Sequence, residues 1–191
     1  MAEVAIVEPY VHDRDHDGWL RCRALSFLYS DYYDDVQTSK VDVSCAVQLV
    51  ARLGDIIIGI IDCSVSGEIG CVETIAVHPD HVRTGIGRRL LLEAEKELRS
   101  QAVTQLDVWT RDRPATLAFY EHNGFHVVHR YLHVYPNTYV EALPDGLEAH
   151  VMAATSVNPV WFFGHADIEH EAELRSRFRR VYVCHGFSKS L

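Results

Sequence analysis

The most regular hydrophobic pattern of the chain lies between residues 75 and 99. One apolar position recurs every four residues, at Ile86, Leu90, Ala94 and Leu98. This period predicts an amphipathic helix whose apolar stripe packs on a core. The opposite face is charged and offers two ion pairs at i,i+4 spacing, Arg89–Glu93 and Glu95–Arg99.

Shorter apolar runs and turn residues predict the remaining elements. The predicted strands cover residues 3–8, 45–52, 55–64, 69–77, 105–110, 125–135 and 180–184. Two further helices are predicted, one over residues 19–29 and one that starts at Pro114 and stops at Gly124. In the first helix the residues predicted to face inward are Leu20, Ala24, Phe27 and Leu28. The polar residues 12–18 are predicted to form a loop.

In chain order these elements give β-α-βββ-α-β-α-β. This order predicts a mixed, mostly antiparallel central sheet flanked by helices, in the α/β (α+β) class. We predict a single domain over residues 1–191, with an insertion at about 136–178 before the final strand. The insertion is predicted to contain a hairpin, Tyr139–Leu143 with Glu148–Ala153, and a short helix within 167–178. In the alternative, the core ends near residue 135 and the rest is an appendage, for example the dimerisation arm of a homodimer.

Composition narrows the classes of partner. The formal net charge of −9 argues against nucleic acid, because a phosphate backbone requires clustered Lys and Arg, and it favours a cationic acceptor. No apolar run reaches the ~20 residues that cross a bilayer, and the N-terminus lacks the features of a signal peptide. The five cysteines are scattered without a Cys-x-x-Cys pair, which is typical of a reduced cytoplasmic protein.

The twelve histidines raise the question of a metal site. His126, His129 and His133 lie on a predicted strand, where an offset of three residues places side chains on opposite faces. These histidines are therefore not expected to converge on one ion, and we predict no metal.

A glycine pair lies between the strand that ends near Val77 and the long helix. Gly85 and Gly87 carry no Cβ, so a ligand can approach the backbone, and the first N–H groups of a helix have no partner within it. Together with the helix dipole they predict an anion site suited to phosphate. Arg83 and Arg88 flank the turn. The alternative is a tight loop with two solvated arginines. A wider basic patch would include Arg89, Arg111 and Arg113.

Two segments carry a resemblance to a known family. The first, HPDHVRTGIGRRLL, lacks the Lys-Ser or Lys-Thr of a P-loop and the third glycine of a dinucleotide fingerprint. It resembles the pyrophosphate motif Gln/Arg-x-x-Gly-x-Gly/Ala of the GNAT superfamily of acyl-CoA-dependent N-acetyltransferases. The second, PATLAFYEHNGF, resembles that superfamily's motif Asn-x-x-Ala-x-x-Phe-Tyr-x-x-x-Gly-Phe. Two positions depart: Val82 replaces the usual Gln or Arg, with the arginine displaced to Arg83, and Ala115 replaces the usual Asn.

The resemblance implies a GNAT-like acyl-CoA N-acyltransferase fold and acetyl-CoA as co-substrate. Backbone N–H groups of the turn would bind the CoA pyrophosphate, and the pantetheine arm would lie along the preceding strand, where a backbone N–H is also the oxyanion donor. The implied cofactor-binding residues are Ile75, Ala76, Val77, Val82, Arg83, Thr84, Gly85, Ile86, Gly87 and Arg88.

The resemblance also implies two catalytic residues. Tyr120 corresponds to the tyrosine that faces the thioester sulfur, and a phenol can donate a proton to the leaving thiolate. Glu73 corresponds to a carboxylate that deprotonates the amine, directly or through water. The alternatives are a tyrosine that only packs beside Phe119, and a glutamate on the solvent face of its strand.

The function that the resemblance implies is transfer of an acetyl group from acetyl-CoA to a primary amine of a small molecule or peptide, by direct attack in a ternary complex. In the resembled family the region of Ser30–Asp35 borders the acceptor cleft, and its carboxylates and rings suit a cationic amine. Two other classes stay open: a non-catalytic acyl-CoA sensor, and an interaction protein on the same fold. The fold does not choose among acceptors.

Overall fold

The structure, a computed structural model, describes residues 4–33, 35–37, 39–40, 45–135, 148–150 and 163–191, with side chains except at Cys45 and 148–150. They form two compact units, one of residues up to 108 with 188–191, the other of residues 109–187. The single domain over residues 1–191 stays a prediction. Among the described helices, none combines the length and the apolar character needed to cross a bilayer.

The first unit is built on a sheet of consecutive strands. Its strands are β1 (Ile6–Pro9), β2 (Cys45–Leu53), β3 (Ile56–Ser66), β4 (Ile69–Val77) and the first residues of β5 (Gln105–Arg111). Its helices are α1 (His12–Leu28) and α2 (Ile86–Ser100). Strands β1 to β4 pair antiparallel in chain order, whereas β4 and β5 pair parallel. The predicted mixed, mostly antiparallel sheet is confirmed.

Helix α2 packs on this sheet through its predicted stripe, and all four stripe residues are at most 4% exposed. Gly59 of β3 allows the close approach, because a Cβ there would lie 2.7 Å from the Ile86 side chain and 2.9 Å from that of Leu90. Glu95 belongs to the predicted charged, solvent-facing side of α2, but it is 1% exposed. The prediction is wrong at this position. The Glu95 carboxylate accepts hydrogen bonds from Lys189 at 2.6 Å and Arg99 at 3.3 Å, and the latter is a predicted ion pair.

Helix α1 starts seven residues earlier than predicted, so the predicted loop over 12–18 is wrong. Asp15 explains the start, because its carboxylate accepts the backbone N–H of Val11 at 2.8 Å and so satisfies a donor at the helix N-terminus. The buried face is formed by Trp19 and Cys22, whereas Leu28, predicted to face inward, is 53% exposed.

The buried carboxylate of Asp15 is a testable source of stability. Hydrogen bonds from Arg14, followed by the Val11 amide and the charge of Arg52, lower its pKa from 3.8 to about 2. Since the folded state has the lower pKa, this stabilisation is complete above about pH 4 and is lost as the pH falls towards 2. Asp15→Asn is expected to lower the free energy of unfolding by about 2 kcal/mol at pH 7.

Urea unfolding at several pH values measures the Asp15 effect. The difference between Asp15→Asn and the unmodified protein should shrink steadily below about pH 4. Asp13→Asn, at an exposed position two residues away, is the matched control and should cost less than about 1 kcal/mol. An Asp15 effect that is independent of pH would contradict the account.

The second unit contains the rest of the described chain. Its elements are α3 (Pro114–His122), β6 (His126–Tyr135), β7 (Glu148–His150), β8 (Phe163–Asp167), α4 (Glu171–Arg177) and most of β9 (Arg180–Ser190). Strand β8 pairs antiparallel with both β6 and β7. A separate core is formed by Leu132, Val134, Ala166, Leu174, Val181 and Val183.

Within the predicted insertion the agreement is partial. Helix α4 lies inside the predicted helical range, and β9 confirms the predicted final strand. Strand β8 was not predicted, because its five residues, FGHAD, show no regular alternation of apolar and polar positions. The predicted strand Tyr139–Leu143 lies outside the described residues.

Candidate functional site

The pairing of strand β4 with β3 is irregular at Glu73. Its neighbour β3 pairs Asp62 with Thr74 and the next residue, Cys63, with Val72, so Glu73 is an extra residue in a β-bulge. The parallel ladder with β5 covers Ile69–Val72 of β4. From Glu73 to Val77 the pairings of the described residues lie on the β3 side alone. The other edge of this stretch therefore offers backbone groups to an extended ligand.

The chain turns from β4 into α2 through residues 78–85. Pro79–His81 forms a short 3₁₀ turn with His78 as its N-cap residue, and the His78 ring accepts the Asp80 amide at 3.3 Å. Arg83 and Gly85 then take left-handed conformations, with φ of 62° and 84°. Successive amides near left-handed residues form a concave donor surface of the kind that binds anions. The turn follows in the chain directly after the open edge of β4.

Helix α2 begins at this turn without a side-chain cap. Gly85 is the N-cap residue, no side chain accepts a hydrogen bond at the cap, and no acidic residue lies in the first turn. A Cβ built on Gly85 would meet no atom of the described residues within 4 Å, so among them the space beside the cap is open. The first N–H groups of α2 and its positive dipole end therefore face a space that suits phosphate oxygens.

Some side chains around the turn are exposed to solvent, whereas others already make hydrogen bonds or ion pairs within the protein. Val82, Arg83, Thr84 and Arg88 are exposed, and Thr84 donates to the carbonyl oxygen of His81. Arg89 instead donates to the carbonyl oxygen of Ala5 at 2.8 Å, while Glu93 pairs with Lys96 at 2.7 Å, so the predicted Arg89–Glu93 pair is wrong.

In the second unit, Arg111 does not belong to an open basic patch. It is 4% exposed and its guanidinium lies 4.6 Å from the ring centre of Tyr182. The patch predicted from five arginines is thus reduced at Arg89 and Arg111, and around the turn it consists of Arg83 and Arg88.

Glu73 is exposed, as in the solvent-facing alternative, and its carboxylate accepts a hydrogen bond from the Ser64 hydroxyl. The neighbouring Cys71 thiol is half-buried, and burial raises its pKa to about 11, so this thiol stays protonated near neutral pH. The bulge places the Glu73 carboxylate on the stretch of β4 whose second edge is open. Its role as a base stays a prediction.

Tyr120 lies in the second unit, on α3. The helix starts with Pro114 at its first position and ends before Gly124. Gly124 has a φ of 86°, a left-handed conformation that favours glycine. Tyr120 is 3% exposed, and its ring lies 5.5 Å from those of both Phe125 and Phe187. The motif that carries Tyr120 therefore folds as predicted, while its role as an acid stays a prediction.

In the predicted acidic and aromatic cluster after α1, some side chains already interact with other residues of the first unit. The Asp35 carboxylate pairs with Arg23 at 2.9 Å, and the Phe27 ring lies 5.5 Å from that of Tyr32. Asp34 lies outside the described residues.

Sequence reasoning missed a second pair in this unit, Lys40 with Asp62 at 2.6 Å. The available signal was an aspartate at the end of the apolar run IIIGIID.

The structure brings His133, one of the histidines considered in the sequence, beside a histidine from another strand. On β6 and β8, His133 and His165 stack in parallel, with ring centres 4.7 Å apart. Ligand atoms of Asp167, Glu169 and His170 lie within 4.8 Å of one another on an exposed surface. Exposed acidic groups commonly cluster without an ion, so the absence of a metal stays a prediction.

Comparison with known proteins finds a family match over part of the chain. Residues 45–127, which span β2 to the start of β6, match the sequence profile of the acetyltransferase (GNAT) domain. No curated protein sequence matches the chain. The profile covers the bulge, the open edge and the turn of the first unit together with α3 of the second.

Solved structures share the fold at low sequence identity. A GNAT-family acetyltransferase from Streptococcus pneumoniae has a TM-score of 0.60 at 14% identity, over 98% of this chain and 100% of that one. The ribosomal-protein-alanine N-acetyltransferase of Brucella melitensis has a TM-score of 0.60 at 13% identity, over 97% and 99%. The PaiA N-acetyltransferase of Thermoplasma acidophilum, in complex with coenzyme A, has a TM-score of 0.56 at 15% identity, over 86% and 99%.

Proposed function

We propose that this chain, which carries an acetyltransferase domain of the GNAT superfamily, transfers an acetyl group from acetyl-CoA to a primary amine of a small molecule or peptide. The amine attacks the thioester directly while both substrates are bound. A net charge of −9 favours a cationic acceptor. The identity of that acceptor is not part of the proposal, because one fold serves many acceptors.

One observation carries the proposal: the open edge of β4 leads into an uncapped helix start. Coenzyme A combines an amide-containing pantetheine arm with a pyrophosphate. The arm matches the open edge of β4 between Glu73 and Val77, because it can add to the sheet as a strand does; on this stretch the Val77 carbonyl oxygen already accepts the Ser26 hydroxyl at 2.9 Å. The pyrophosphate matches the amides from Val82 to Arg88 and the start of α2. The two halves of the carrier thus fit two adjacent features of one unit.

The same stretch supplies groups for the chemistry. Backbone N–H groups on the open edge, among Ile75, Ala76 and Val77, serve as donors to the thioester oxygen as negative charge develops on it. Glu73 accepts a proton from the attacking amine, directly or through water, and Tyr120 donates a proton to the CoA thiolate. The assignment of Tyr120 rests on its sequence motif, and that of Glu73 on its motif position and on the bulge.

Glu73→Gln tests the base. The substitution keeps the shape and the hydrogen bond from Ser64 but removes the proton acceptor. We expect kcat to fall about a hundredfold, with little change in the affinity for acetyl-CoA. Glu68→Gln, at an exposed position in the turn between β3 and β4, is the control and should leave kcat unchanged. Steady-state kinetics at neutral pH decide, and equal rates for both variants would reject Glu73 as the base.

The overall reaction is tested by incubating the protein with acetyl-CoA and a panel of primary amines while free thiol is measured. Thiol release that depends on an amine, with the acetylated amine found by mass spectrometry, supports the enzyme. Tight CoA binding without turnover on any amine would instead support a non-catalytic acyl-CoA sensor. Failure to bind CoA would leave an interaction protein on the same fold and overturn the proposal.

A further inference from the structure

A buried ammonium group lies on the α1 side of the first unit. The Lys40 ammonium is 2.6 Å from the Asp62 carboxylate, 4.4 Å from the ring centre of Trp19 and 5.1 Å from that of Tyr10. Two aromatic faces and one carboxylate are the usual elements of a protein site for ammonium ligands. Tyr10, Trp19 and Asp62 are called the ammonium cage below.

The ammonium cage is largely buried at Trp19 and Asp62, whereas Tyr10 is partly exposed. Trp19 is 2% exposed and Asp62 is 4% exposed. Oδ1 of Asp62 and Nε1 of Trp19 are buried and make no hydrogen bond of good geometry to the residues that the structure describes, although the Trp19 indole N–H interacts with the Asp62 carboxylate and lowers its pKa.

Nearby cations stabilise the charged form of the Asp62 carboxyl against the effect of burial. Burial raises the pKa of Asp62, and the Lys40 ammonium is the main opposing influence, followed by Trp19 and the charge of Arg23. Arg23 is itself committed to Asp35 and to the Phe27 ring, 4.1 Å from the guanidinium carbon. If Lys40 leaves, another ammonium group is the natural replacement beside Asp62.

The residues of the ammonium cage lie in or beside regular secondary structure, whereas Lys40 lies in a loop. Trp19 belongs to α1, Asp62 to β3, and Tyr10 to the junction between β1 and α1, where its backbone N–H is bonded to Gln48. Lys40 lies between α1 and β2, outside any helix or strand. The occupant can therefore withdraw without disrupting the elements that form the cage.

We propose that the ammonium cage is a binding site for a primary alkylammonium ligand, and that Lys40 occupies it in the ligand-free protein as a built-in competitor. The ligand resembles the lysine side chain: a straight alkyl chain that ends in an ammonium group. Binding requires neither coenzyme A nor turnover, so this site goes beyond the proposed function. A cationic acceptor is one kind of molecule that carries such a group.

The test uses the full chain, the variant Lys40→Ala, and n-butylammonium as the probe. Calorimetry should show that Lys40→Ala binds n-butylammonium at least tenfold more tightly than the unmodified protein does, because the competitor has been removed. The neutral analogue n-butanol should bind Lys40→Ala at least tenfold more weakly than n-butylammonium. Adding Asp62→Asn to Lys40→Ala should abolish this preference for the cation. Equal binding of the alcohol and the ammonium would overturn the proposal, since the space would then be a simple apolar hole.

A second measurement keeps the proposal testable if Lys40→Ala does not fold. In the unmodified protein the two rings should shift the Lys40 εCH₂ NMR signals away from those of an exposed lysine. Added n-butylammonium should move them towards the exposed value, and signals that do not move would overturn the proposal. Neither readout involves acetyl-CoA. Loss of cage binding with acetyl transfer intact therefore rejects the cage alone, and the reverse result rejects the enzyme alone.

Discussion

Gly85→Val is expected to lower the affinity for acetyl-CoA at least a hundredfold, or about 3 kcal/mol. Gly85 has a φ of 84°, and its missing side chain would point into open space beside the start of α2. A valine at this position places methyl groups where we propose the pyrophosphate binds. It also strains the backbone, because a β-branched residue is disfavoured in the left-handed region, and so displaces the amides.

Gly67→Val is the matched control for this effect. Gly67 lies in the turn between β3 and β4, has a φ of 61°, and likewise has nothing within 4 Å of an added Cβ. Both variants should lose about 1–2 kcal/mol of stability from the left-handed conformation. Only Gly85→Val should lose the ligand. Calorimetric titration of both variants with acetyl-CoA gives the comparison, and equal affinities would remove the turn from the site.

Tyr120→Phe is expected to lower kcat about a hundredfold while changing the affinity for acetyl-CoA less than twofold. Loss of a general acid has an effect of this size, and the hydroxyl is not proposed to contact the pyrophosphate. The phenylalanine keeps the packing against Phe125 and Phe187. The free energy of unfolding should therefore change by only about 1 kcal/mol, which separates a catalytic effect from a folding defect.

Tyr131→Phe is the control for removing a tyrosine hydroxyl in the same unit. Tyr131 is partly buried on β6 and its hydroxyl lies 3.1 Å from Nε2 of His133. This variant should keep full turnover with a comparable small loss of stability. Pre-steady-state measurement of thiol release, with a panel amine that the unmodified protein acetylates, follows the acyl transfer step itself. A Tyr120→Phe rate equal to that of the unmodified protein would reject the assignment, and Tyr120 would then have only a packing role.

Much of the fold could be predicted because its signals are local. The four-residue period of α2, the glycine turns of the hairpins and the Pro114–Gly124 limits of α3 each act over a few residues. The errors occur where a distant partner changes the outcome. Residues 12–18 are helical in the presence of a buried Asp15 paired with Arg52, and these two residues are 37 positions apart.

Glu95 illustrates the same limit within a correctly predicted helix. Its position on the helix indicates a solvent-facing residue, but Lys189 near the other end of the chain pairs with it and makes burial tolerable. Periodicity describes one element at a time and contains no information on such partners. For the same reason the pairing of β8 with β6 could not be predicted.

The candidate site likewise has parts that depend on one local segment and parts that depend on distant residues. The turn, its glycines and Arg83 and Arg88 were predictable because they form one continuous segment. The open edge of β4 was implied by the family resemblance alone, because it depends on where the ladder with β5 stops and on a bulge opposite Asp62. The ammonium cage combines residues from three separate segments, and Lys40 comes from a fourth; only the acidic residue within an apolar run gave a signal in the sequence.

The central claim is that backbone amides of the turn from Val82 to Arg88 hold the pyrophosphate of coenzyme A. Isothermal titration of the purified protein with acetyl-CoA, and with coenzyme A in parallel, tests it most directly. The account predicts one site per chain for both ligands, with a micromolar dissociation constant. If neither ligand binds at millimolar concentration, the claim is contradicted.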